Sequence, residues 1–87
     1  MKPEYRDAML KRLARIEGQI RGIQKLIISS DDCEKTAQQM SAARKALDKA
    51  SHEMLACMIE REIESKQMAN LQLDDIEKIK TLISKYS

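Results

Sequence analysis

Few groups in this 87-residue chain have metal-ligating or nucleophilic chemistry: the thiols of Cys33 and Cys57, the single imidazole of His52, and six methionines, of which Met58 directly follows Cys57. A thiol serves as a nucleophile or a soft ligand, and a thioether suits Cu(I). Cys33 and Cys57 fall on one helical pattern 24 residues apart, about 36 Å at 1.5 Å per residue. No single copy of the chain can therefore join them by a disulfide or a metal. An antiparallel second copy reverses the direction and brings the far end of one such helix to the near end of another, so any shared site lies between copies. Cys57 continues an apolar seam and reads as a packed core thiol. His52 reads as a surface histidine. No base is paired with a nucleophile at a fixed spacing, so the expectation is a protein that is not an enzyme.

The second set of chemically informative residues is basic. Residues 1–28 carry seven Lys and Arg against three Asp and Glu, whereas residues 31–64 carry five against eight, which leaves the net +2 concentrated at one end. Lys11, Arg15, Gly18, Gly22 and Lys25 recur at intervals of four, three, four and three, so the only two glycines of the chain interrupt a basic stripe. Lys45, Lys49 and His52 form a similar stripe further on. A glycine inside a helix costs about 1 kcal/mol relative to alanine, so something must gain from the missing side chains. Close packing against another helix is one gain. A flat surface for a nucleic-acid backbone, flanked by cations, is the other.

These residues need helices to position them. Met9, Leu13, Ile16, Ile20, Ile23 and Ile27 alternate spacings of four and three, a seam at the 3.5-residue coiled-coil period that predicts a first helix over about residues 5–28. Asp31, three before Glu34, has the spacing of a capping box and opens a second helix over about 31–64. Its seam is Thr36, Met40, Ala43, Leu47, Ala50 and Met54, with Cys33 and Cys57 three residues beyond either end. The polar stretch SKQMANLQ, residues 65–72, reads as a linker. Asp74 with Glu77 repeats the capping signature before a third helix over about 74–86, its apolar residues Ile76, Ile79, Leu82 and Ile83.

The expected fold is thus all-α, a single domain over residues 1–87 with three helices per protomer. Its first two helices make an antiparallel hairpin, and no short recognition helix follows a tight turn, which disfavours a helix-turn-helix. Two helices cannot enclose seams that are apolar on both, and a chain this short buries a modest share of its surface alone. The predicted closure is a pairing of hairpins into a four-helix-bundle dimer, with the third helices outside. With no apolar run of membrane-spanning length and no signal-peptide pattern, the expectation is a cytoplasmic protein with reduced thiols and no membrane partner. The absence of Phe and Trp disfavours single-stranded nucleic acid, which is bound by stacking.

The run RLARIEGQIRGIQKLI, followed by Cys33 and then QQMSAARKAL, resembles the CsoR/RcnR/FrmR family of bacterial all-helical transcriptional repressors over residues 9 to about 64. The resemblance implies hairpin dimers assembled into a homotetramer that binds double-stranded operator DNA through basic residues of the first two helices. An effector bound between protomers releases the DNA. It implies Arg12, Arg15, Lys45 and Lys49 as DNA-binding residues, with Lys11 and Arg21 behind them. The family's metal sensors use a cysteine, a histidine and a further cysteine or histidine, and the matching positions here are Cys33, Met58 and Glu62. Only the first ligand type is kept. The copper sensors also carry a tyrosine where this chain has Asp32.

Cys33 begins a helix, a setting that favours reactive cysteines, although Asp31, Asp32 and Glu34 oppose that. Electrophile chemistry needs one competent thiol, whereas Cu(I) wants two or three soft ligands. The reading is therefore a repressor whose inducer, an aldehyde or a reactive sulfur species, engages a site of Cys33, Met58 and Glu62. The alternative inducer is Cu(I) or another transition metal, held by Cys33 with Met58, Glu62 or Cys57 of a partner. An alternative of another class is a helical metal buffer or adaptor without DNA binding.

Overall fold

The computed structural model describes residues 1–66 and 71–87, and among them every regular element is a helix. Helix α1 spans Pro3–Ser29, α2 spans Cys33–Lys66 and α3 spans Leu73–Tyr86. Compared with the sequence reading, α1 gains two residues at its start, where Pro3 occupies the first turn, and Ser29 at its end. Proline lacks only an N–H that has no helical partner there and is preset to helical φ. Helix α2 takes in Ser65 and Lys66, the first two residues of the expected linker. Residues 67–70 of that linker lie outside the described residues.

Both expected caps move. Asp32, not Asp31, caps α2: its carboxylate accepts the backbone N–H of Lys35 at 3.0 Å, and its carbonyl accepts the Thr36 N–H and hydroxyl at 3.1 and 3.0 Å. Ser30 supports the turn by accepting the Asp32 N–H at 3.1 Å. At α3 the cap is Gln72, whose N–H donates to the Asp75 carboxylate at 2.9 Å, in place of Asp74 with Glu77. In each case a side-chain acceptor meets a backbone donor that the first helical turn leaves unpaired.

The chain forms two compact units, residues 1–50 and 51–87. In the first, α1 and the N-terminal half of α2 make an antiparallel hairpin joined by the turn at residues 30–32. Each expected seam is split. Met9, Ile16 and Ile23 are buried at intervals of seven, and so are Ala43 and Ala50 of α2. The alternate members of the same seams stay in solvent: Ile20 is 47 %, Ile27 56 %, Met40 53 % and Leu47 50 % exposed. One hairpin therefore covers mainly one row of each heptad and leaves most of the other exposed, with Leu13 half-buried between them.

In the second unit α3 lies against the C-terminal half of α2. Leu55 and Cys57 are buried there, and Met58, Ile59 and Ile63 of α2 are half-buried together with Ile79 and Leu82 of α3. Ile76 and Ile83, expected on the same apolar face, remain exposed. Leu55 is buried in this unit although it lies outside the expected seam.

Candidate nucleic-acid interface and effector site

Three of the six basic candidates, Arg12, Arg15 and Lys49, converge where the hairpin helices meet, and Lys11, Arg21 and Lys45 lie outside that place. Arg12, Arg15 and Gln19, at helical spacings of three and four, line an open depression of about 330 Å³ together with Ala46 and Lys49 of α2, above the buried Ile16. Sequence reasoning had named Arg12, Arg15 and Lys49. It missed Gln19, because a search for phosphate-binding residues by charge passes over a neutral amide. Arg15 and Lys49 have no ion-pair partner among the described residues, and neither do Lys11 and Lys45, all four being exposed. Arg21 faces Glu17 at 3.9 Å one turn away, which offsets part of its charge. Gly18 and Gly22 lie on open surface: a Cβ added at either meets no atom within 4 Å. Packing within the described protomer thus gives no reason for either glycine.

Cys33 is the first residue of α2 and its thiol is exposed. It lines an open depression of about 420 Å³ with Asp32, Thr36, Met40 and Ile27. Asp32 is thus explained locally: where the resembled copper sensors place a tyrosine, this chain places the residue that caps α2. Met40 is a second soft donor type beside the thiol that the sequence reading counted only as seam.

Met58 and Glu62 line a different depression, in the second unit, with Arg61, Ser65 and Leu82. The Glu62 carboxylate lies 3.1 Å from the Lys78 ammonium of α3, and its side chain is 14 % exposed, against 61 % for Lys78. Ser65 donates its hydroxyl to the Glu62 carbonyl at 2.9 Å. Cys57 is buried and His52 exposed. No group of three or more His, Cys, Asp and Glu side chains is assembled to hold a metal among the described residues.

A three-helix chain with a cationic depression between its first two helices and an exposed thiol at the turn belongs among small all-helical proteins without a helix-turn-helix. A family model described as metal-sensitive transcriptional repressor matches residues 5–85, and the chain belongs to that family. It is a transcriptional repressor and not an enzyme, and DNA is the partner that repression requires. Among curated proteins and solved structures no chain matches this one. Among the described residues no helix is long and apolar enough to cross a membrane.

Proposed function

We propose that the chain is an operator-binding repressor that lays the basic face of α1 and α2 on duplex phosphates and lets go when an inducer engages Cys33. The observation that carries the DNA part is the depression shared by Arg12, Arg15 and Lys49, in which cations from two helices line one place. Lys45 extends this face along α2, and Lys11 and Arg21 flank it on α1. Family membership favours this reading over a metal buffer or adaptor. A second copy covers Ile20, Ile27, Met40 and Leu47 to give the four-helix-bundle dimer, and dimers pair into a tetramer.

The inducer is a thiol-reactive small molecule, an aldehyde or a reactive sulfur species, because Cys33 is an exposed thiol in a depression open to solvent. A specific observation favours a second reading. Met40 lines the Cys33 depression, so a thiol and a thioether stand ready for Cu(I), and a partner's donors would complete the set. Under either inducer, Met58 and Glu62 contribute from another copy.

Operator affinity should fall steeply with salt, and Arg15→Ala or Lys49→Ala should each flatten the log–log slope by about one unit. Cys33→Ser should keep operator affinity and lose the inducer response, while Cys57→Ala keeps the response. DNA binding indifferent to salt, or a response lost with Cys57 and kept without Cys33, overturns the corresponding half of the reading. Intact mass and a Cu(I) competition titration on the same variants separate a covalent adduct from a bound metal.

A further inference from the structure

We propose that the depression lined by Arg12, Arg15, Gln19 and Lys49 is a seat for one phosphate group of the duplex backbone, with Gln19 as its neutral hydrogen-bond donor. This deepens the reading of the basic face as a DNA surface and rests on it. Four features of the site point to a tetrahedral oxyanion. Its polar lining comes from two helices, Arg12, Arg15 and Gln19 from α1 and Lys49 from α2, so it is bordered by donor residues of both. Arg12, Arg15 and Lys49 line it, and Arg15 and Lys49 have no ion-pair partner among the described residues. The floor is apolar, built by the buried Ile16 and by Ala46, and an ionic hydrogen bond is stronger over such a floor than in open water. The volume of about 330 Å³ is at the lower end of ligand clefts, with room for the sugars that flank a backbone phosphate.

Gln19 is the residue that distinguishes a seat from a patch. Gln19 is exposed but shares its depression with cations of both helices, and an anion facing those cations gains from a donor that adds directional hydrogen bonding without further charge. Glutamine also pairs with the adenine edge in the major groove. That role asks the side chain to project beyond the helix surface into a groove. Gln19 instead lines a recess between two helices.

The seat is tested first on the DNA-free protein, by titrating inorganic phosphate at constant ionic strength and following ¹⁵N resonances. The Gln19 side-chain amide and the backbone amides around Arg15 and Lys49 should shift saturably, and Lys49→Ala should remove the effect. The DNA test uses a duplex spanning the upstream region of the chain's own coding sequence, with single-base variants of it. Gln19→Ala should weaken binding about three- to tenfold and equally on every variant. Gln19→Lys, which keeps a donor and adds charge, should restore it, and Gln19→Glu should weaken it most. Circular dichroism confirms that each variant is folded. A loss confined to one base position, or failure of Gln19→Lys to restore binding, overturns the seat in favour of base reading. No phosphate shift together with a neutral Gln19→Ala, while the wild type still binds the duplex, overturns the seat and leaves the DNA reading standing. A wild type that binds phosphate at Gln19 but no duplex overturns the DNA reading and identifies the seat's anion as a free one.

Discussion

At the residue scale the two glycines give the sharpest test of what approaches α1. Each interrupts a helix at about 1 kcal/mol, and the space above each is open within the described protomer. Gly22→Ala should therefore raise stability by about 0.5–1 kcal/mol, read from thermal melts, and weaken duplex binding where a backbone lies along the basic stripe. Higher stability with unchanged DNA affinity would mean that the glycines serve contact between copies, which sedimentation would then show as a weakened assembly. The stripe itself was legible because four-three spacing is visible in any helix. Gln19 and Met40 were not. Each belongs to a common residue type whose role comes from what another helix places beside it, and one-dimensional spacing holds no record of that.

At the element scale, α3 is attached to α2 by half-buried apolar side chains and by the Glu62–Lys78 ion pair. Glu62 is largely withdrawn from water while Lys78 remains exposed, so their attraction is screened on one side and contributes no more than about 1 kcal/mol. The buried Leu55 contributes more, through packing. Leu55→Ala should cost about 2–3 kcal/mol and Lys78→Ala about 1 kcal/mol or less. Hydrogen exchange should show both losses within residues 51–87, and opening of α1 by either substitution would contradict the division into two units. The existence and type of all three helices were readable from periodicity and capping chemistry. The α2 cap shifted by one residue because the adjacent Asp31 and Asp32 offer two registers to the same rule, and the α3 cap by two because Gln72 takes the cap position with Asp75 as its acidic partner. Leu55 was unreadable for a different reason: it lies off the four-three seam that dominates the pattern of α2, and its burial belongs to the packing of residues 51–87.

At the scale of the whole molecule the divided seams separate folding from assembly. A continuous seam predicts that a charge at Ile20 destroys both together. With Ile16 buried and Ile20 half in solvent, the two positions part. Ile16→Asp should unfold the hairpin, whereas Ile20→Asp should leave helical content near that of the wild type and shift the protein to monomers in equilibrium sedimentation at micromolar concentration. Loss of helix in Ile20→Asp would mean that the hairpin does not stand without its partner. The 3.5-residue period announced that both rows were apolar. It carried no sign of which row faces the neighbour in the same chain, since heptad positions are equivalent until a particular packing distinguishes them.

The turn at residues 30–32 bears on speed as well as shape. Helices joined by three residues meet through contacts short in sequence, the condition under which helical proteins fold in microseconds to milliseconds. The chain's single proline, Pro3, stands at the very start of α1, so isomerisation of its preceding peptide bond, a process of tens of seconds, obstructs almost none of the structure. Stopped-flow refolding should then show one rapid phase that is independent of protein concentration. Any slower phase should accelerate as the protein is concentrated, because the slow event left to this molecule is finding another copy of itself.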